Sequence, residues 1–174
     1  MEEIISVKLQ ESGYRMVTAE GTLSVPEAPG NRHYEAVQAW IAEGNTPDPQ
    51  YTDEEVLANA TKNALSRIKA GFINAMENGT LQSETLGIEI DNRRSATHND
   101  KDNLQVIINL GSYPITWKGT TETADITDEE NALAVRAEME LDGLNKYQNK
   151  WDKETLIQTA KEESNISDLD AINW

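Results

Sequence analysis

Apolar residues near the start of the chain alternate. Ile5, Val7 and Leu9 recur at every second position, Gly13 interrupts, and Tyr14, Met16, Val17 and Thr18 resume with aromatic and β-branched character. Alternate side chains of a strand share one face, so the pattern predicts a β-hairpin. Gly21, Pro26, Pro29 and Gly30 punctuate the next stretch and predict at least one further turn before any helix. Asn31 then stands as an N-cap for a helix of about three turns that carries Tyr34, Val37, Trp40 and Ile41 along one side and ends at Gly44. The following segment contains Pro47 and Pro49. Proline removes an amide donor and pushes the preceding residue to extended geometry, so residues 45–51 are expected to form a linker.

Beyond the linker the spacing changes to threes and fours. Thr52-Asp53-Glu54-Glu55 is a capping box, and Val56, Leu57, Ala60, Ala64, Ile68, Phe72 and Met76 sustain a helical period over about 25 residues. Asn78-Gly79 is expected to stop this helix in a left-handed turn. Leu86, Ile88 and Ile90 then alternate as a short strand. The polar run 91–103 reads as a loop, Leu104 to Leu110 as an amphipathic helix stopped by Gly111, and Tyr113 to Trp117 as a strand that turns at Lys118-Gly119 into a threonine-rich one. Thr127-Asp128-Glu129-Glu130 repeats the capping box and predicts a second long helix on Leu133, Met139, Leu144, Tyr147 and Trp151. Asp152 is expected to cap a further helix, and Ile166, Leu169, Ile172 and Trp174 to tether a last turn.

The fold class that follows is α+β. It comprises an N-terminal β-rich docking module with one helix (1–44), the linker (45–51), and a body (52–174) of two long helices packed on a small antiparallel sheet around Leu86 to Ile90 and Ile115 to Trp117.

Composition narrows the function classes. The 174 residues include 15 Lys plus Arg and 31 Asp plus Glu, a formal charge of −16. Binding to nucleic acid or to an anionic lipid surface draws its free energy from clustered basic residues, so neither partner is expected. The chain has no cysteine, which excludes thiol nucleophiles and thiolate metal sites. No window approaches the run of about 18 apolar residues of a spanning helix, and the acidic start MEEIISVKLQ is unlike a secretory signal.

The densest polar cluster is His98, Asp100 and Asp102, preceded by Asp91, Arg93 and Arg94. It lacks the glycine and distal glutamate of a calcium loop, and one histidine makes a poor zinc site. It is read as a solvated loop in which Asp100 or Asp102 caps the next helix, with no metal. His33 has no nucleophile motif beside it. Carboxylate pairs abound by chance among so many acids, and the ten glycines are dispersed singly and form no phosphate loop. No catalytic residue and no cofactor is therefore assigned. Trp40, Trp117, Trp151 and Trp174 sit at apolar positions, for which core packing is the default. Tyr34, Trp40 and Trp174 are singled out as candidate partner-binding residues, since both tryptophans lie at the periphery of short elements.

The segment HYEAVQAWIAEGNTPDPQYTDEE resembles a pattern found in small proteins encoded among tailed-bacteriophage tail genes. From about Ala64 to Ala160 the order LGIEID, a polar loop ending KDNL, the strand ITW, the TDEE helix and YQNKWDKETLIQTA is similar to an uncharacterised domain family of such phage and prophage tail proteins. The resemblance implies a virion protein, made in the host cytoplasm, that binds other tail proteins at the tail fibre or baseplate. It is either a non-enzymatic structural adaptor or a fibre-assembly chaperone not retained in the particle. It supplies no catalytic residues. A flexible Gly44 to Gln50 would suit an adaptor by joining two docking modules. Homo-oligomerisation stays open, because neither long helix carries the three or four strict heptads of a coiled coil. A hydrolase acting on envelope glycans is the remaining alternative class.

Overall fold

The computed structural model describes residues 3–94 and 99–174. Contacts divide the chain into two compact units, Met1–Val56 and Leu57–Trp174. The fold is α+β in both.

The first unit is a three-stranded antiparallel meander, β1 (Ile4–Gln10), β2 (Gly13–Thr18) and β3 (Gly21–Pro26), followed by α1 (Arg32–Ala42). The expected hairpin has gained a third strand. Of β3 only Val25 is buried, so its sequence shows no alternation. The register sets Val7 opposite Met16 and Tyr14 opposite Val25. Val7, Met16, Val25 and Val37 form the core, with Tyr34, Trp40 and Ile41 packed against it. The Asn31 side chain caps α1 as its position implies, accepting from the His33 N–H at 2.9 Å and the Tyr34 N–H at 3.3 Å. Within the proline-containing segment, the Asp48 N–H donates to the Val7 carbonyl at 2.8 Å and the Leu9 N–H donates to the Asp48 carbonyl at 2.9 Å. That stretch thereby pairs with the free edge of β1.

The boundary between the units falls in the first turn of α2 (Asp53–Glu77). Its capping box is reciprocal: the Glu55 N–H donates to Thr52 Oγ1 at 3.2 Å and the Thr52 N–H donates to Glu55 Oε2 at 2.8 Å. The second unit continues with β4 (Thr80–Gln82), β5 (Glu89–Asp91), α3 (Asp100–Leu110), β6 (Ile115–Lys118), β7 (Thr123–Ile126), α4 (Glu129–Glu162) and α5 (Ile166–Ala171). It holds two cores. In one, Ile88, Ile90, Leu104, Trp117 and Ile126 pack under Ala132, Val135 and Met139 of α4. In the other, Ala60, Ala64 and Ile68 of α2 meet Ile157 and Ala160 of α4 and Leu169 of α5. Alanines at the contact let the helix backbones approach, which is why a sparse apolar stripe suffices.

Several expectations need correction. The sheet of the body is two separate two-stranded ladders, β4–β5 and β6–β7, joined where the Thr120 N–H donates to the Glu89 carbonyl at 2.9 Å. Leu86 lies in a turn, its N–H held by Ser83 Oγ at 3.1 Å, so of the strand expected at 86–90 only Glu89 and Ile90 are in the ladder, as part of β5 (Glu89–Asp91), while Leu86 and Ile88 reach the same core from outside it. The stop after α2 involves no left-handed glycine, since Gly79 keeps an ordinary φ; instead the Arg94 N–H donates to the Met76 carbonyl at 2.6 Å. The N-cap of α3 is Asn99, and Asp100 and Asp102 lie in its first turn, where carboxylates favour the helix dipole without capping. The C-terminal stop of α3 at Gly111 is left-handed, with φ 60°. The second TDEE is shifted by one residue: Asp128 is the N-cap and accepts from the Asn131 N–H at 2.9 Å, so Thr127 does not cap. Finally, Asp152 starts no helix, because α4 runs unbroken for 34 residues. No glycine or proline lies between Leu144 and Glu162, and side-chain pairs at i,i+4 such as Gln148–Asp152 (2.8 Å) and Lys150–Glu154 (2.7 Å) carry the helix through.

Candidate protein-binding face

The site is built on α4, and its inner side is fixed first. Asn92, 2% exposed, donates through Nδ2 to Asp142 Oδ2 at 2.6 Å and to the Met139 carbonyl at 3.2 Å. Lys146 Nζ donates to the same Asp142 oxygen at 2.6 Å. Arg94 Nη2 also donates to the Met139 carbonyl, at 2.8 Å. The guanidinium crosses α4 over Gly143, where an added Cβ would stand 2.2 Å from Nη2. One turn earlier, Glu138 accepts from Ser83 Oγ at 2.5 Å, from Thr85 Oγ1 at 2.5 Å and from the Thr85 N–H at 2.9 Å. Burial pushes this carboxyl up, but the hydrogen bonds from Ser83, Thr85 and the backbone of residues 84 and 85 outweigh it and hold Glu138 below the usual carboxylate range.

The opposite side of α4 is uncovered. A helix turns about 100° per residue, which places Leu133, Ala137, Leu141, Leu144 and Trp151 together, away from Ala132, Val135, Met139, Ile157 and Ala160. The exposures decide which stripe is core. Leu133, Leu141, Leu144 and Trp151 are 46, 58, 56 and 49% exposed, whereas Ala132, Val135 and Met139 are fully buried. Of the apolar positions that predict this helix, Leu133, Leu144, Tyr147 and Trp151 are thus mostly surface and Met139 is inside, and the default of core packing does not hold for Trp151. The buried stripe mixes Ala132, Gly143 and Ala160 with Val135, Met139 and Ile157, and the solvent stripe carries leucines and a tryptophan, so hydropathy alone does not separate the two. Leu141, absent from the positions that predict the helix, lies on the exposed stripe.

The row of apolar side chains continues through an aromatic chain. Trp151 stands 5.9 Å from Tyr147, Tyr147 4.9 Å from Phe72 on α2, and Phe72 5.8 Å from Trp174, ring centre to ring centre. The Trp174 side chain lies against Gly71, where a Cβ would come within 2.3 Å of it. Arg67 Nη2 holds the end of the chain by donating to the Leu169 carbonyl at 2.6 Å. The expected tether is therefore present, and Trp174, 37% exposed, borders the same apolar surface as Trp151.

Tyr34 and Trp40 lie elsewhere, in the first unit, half-buried against its core. Tyr34 is 6.1 Å from Tyr14 between ring centres. Of the three residues singled out for partner binding, Tyr34 and Trp40 share α1 of the first unit, and Trp174 belongs to the second. His33 accepts from Arg32 Nε at 3.1 Å. His98 lies outside the described residues. Of the other residues of that polar cluster, Asp91 is ion-paired with Arg93, and these two with Asp100, Asn103, Trp117 and Thr120 border an open polar groove of about 800 Å³. Among the described residues no group of three or more His, Asp or Glu is placed to hold a metal ion. No helix in the described residues is long and apolar enough to cross a membrane.

No family model matches the chain, and no curated protein or solved structure is significantly similar to it.

Proposed function

We propose that this chain is a non-enzymatic structural component of a bacteriophage tail, an adaptor at the tail fibre or baseplate that works by binding other tail proteins. The sequence resemblance motivates the setting. The observation that carries a binding role is the row Leu133, Leu141, Leu144 and Trp151, four large apolar side chains about half exposed on one helix face. Contiguous apolar surface costs solubility and is retained where a partner covers it. The experiment is quantitative mass spectrometry of purified tails. The adaptor reading expects the chain at a fixed stoichiometry to the fibre or baseplate proteins, with Leu144→Glu lowering its incorporation. Absence of the wild-type chain from mature particles overturns that reading.

The alternative is a fibre-assembly chaperone that leaves before maturation. The acidic composition, −16 over 174 residues, favours it, because a strongly charged escort keeps an apolar client dispersed. Co-expression separates the two: fibre that trimerises and stays soluble without this chain removes the chaperone.

A further inference from the structure

Charges on α4 are sorted by side. All five basic residues of the helix, Arg136, Lys146, Lys150, Lys153 and Lys161, project onto the half that carries Val135, Met139 and Ile157. Three of them are paired within the helix, to Glu140, Asp142 and Glu154, at 3.0, 2.6 and 2.7 Å. The outer half carries the apolar row with the exposed acids Glu130 and Asp152 at its two ends and Glu162 beyond it, while Glu140 at its margin is paired with Arg136 at 3.0 Å and stands 3.9 Å from Lys101 of α3. No lysine or arginine of α4 is ion-paired with Glu130, Asp152 or Glu162 among the described residues. The row from Leu133 to Trp151 extends for roughly 27 Å, about five helical turns.

From this sorting we infer that the outer face of α4 is a docking site for an amphipathic helix whose apolar seam is flanked by lysine or arginine. The inference rests on the protein-binding reading above and adds the chemistry of the partner. A seam of leucine and tryptophan about five turns long matches one helix laid along it, and helix-in-groove recognition uses anchors at i, i+3, i+4 and i+7. The acidic rim sets the sign of the partner, because complementary rim charges steer encounter and like charges oppose it. A second copy of this chain is the poorer occupant. Pairing α4 with itself sets acidic rim against acidic rim and brings together two molecules of charge −16.

The test uses the full chain and three synthetic helical peptides of about 20 residues, matched to the row. One carries a leucine seam flanked by lysines, one the same seam flanked by glutamates, and one the lysine peptide in scrambled order. Binding is read by calorimetry and tryptophan fluorescence, and self-association by sedimentation. The expected result is that only the ordered basic peptide binds, and that its affinity falls as salt rises to about 0.5 M. Leu144→Glu and Trp151→Ala should each weaken it about tenfold or more, and Asp152→Lys with Glu130→Lys should weaken it while sparing the apolar row. Retained helical circular dichroism in the three variants shows that folding is intact. Equal binding of the acidic peptide, or binding of neither, overturns the inference. So does self-association of the chain abolished by Leu144→Glu, which makes the occupant a second copy. Failure of every peptide beside loss of Leu144→Glu from tails removes the basic partner and leaves the adaptor reading. Absence of the wild-type chain from tails removes the adaptor reading whatever the peptides do.

Discussion

Single residues decide whether α4 is held, and Gly143 is the clearest. Its missing Cβ leaves the space that the Arg94 guanidinium crosses to reach the Met139 carbonyl. Gly143→Ala should destabilise the protein by about 1 to 3 kcal/mol, the usual cost of overpacking, despite alanine's better helix propensity. In an Arg94→Ala background the same substitution should be neutral or stabilising, so a urea double-mutant cycle reads the clash directly. Glu138 gives a pH signature. Its carboxyl titrates below the usual range in the folded protein, so its stabilising contribution is complete above the ordinary carboxylate pKa and is lost as pH falls through the lower folded value. Wild type should therefore lose stability on acidification through that window more steeply than Glu138→Gln, measured by urea midpoints against pH. Neither residue was legible beforehand. A mid-helix glycine and one glutamate among 31 acids carry no local sign of what crosses them.

At the scale of elements, the two TDEE boxes show how far a motif reaches. Both announce a helix start, and both helices are there. Yet the first is closed by Thr52 with Glu55, and the second by Asp128, one residue later. Asp128→Ala should cost about 1 kcal/mol in thermal denaturation, a typical N-cap loss, whereas Thr127→Ala should leave the midpoint unchanged. The same boundary logic fails at Asp152. An acid at a plausible spacing is a cap only if the backbone before it leaves the helix, and no glycine or proline forces that here. Helix α4 also illustrates the difference between an apolar residue and a buried one. Leu144 is 56% exposed, so Leu144→Glu should shift stability by no more than about 0.5 kcal/mol. A larger loss in chemical denaturation would show that this side chain is structural.

For the whole molecule, each buried cluster draws its residues from a single unit. Val7, Met16, Val25 and Val37 belong to the first and the remaining two clusters to the second. Val37→Ala should cost about 2 kcal/mol through lost methyl burial and the cavity left behind. Hydrogen exchange should localise the effect: faster exchange across residues 4–42, with residues 57–174 unchanged.

Sequence alone determined the α+β class, the positions of α1, α2, α3, β6 and β7, the Asn31 cap, the Thr52–Glu55 box and the Gly111 stop. These rest on interactions within a few residues, where side-chain chemistry and backbone geometry suffice. Tertiary structure alone decided that the body has two ladders, that β3 and β4 exist, that α4 runs unbroken, and which of its two apolar stripes faces water. That choice turns on what packs against the helix: Gly143 leaves room for Arg94, Asn92 bonds to Asp142 and the Met139 carbonyl, and Val135, Met139 and Ile157 enter the cores of that side, so the leucines of the other side are left outside.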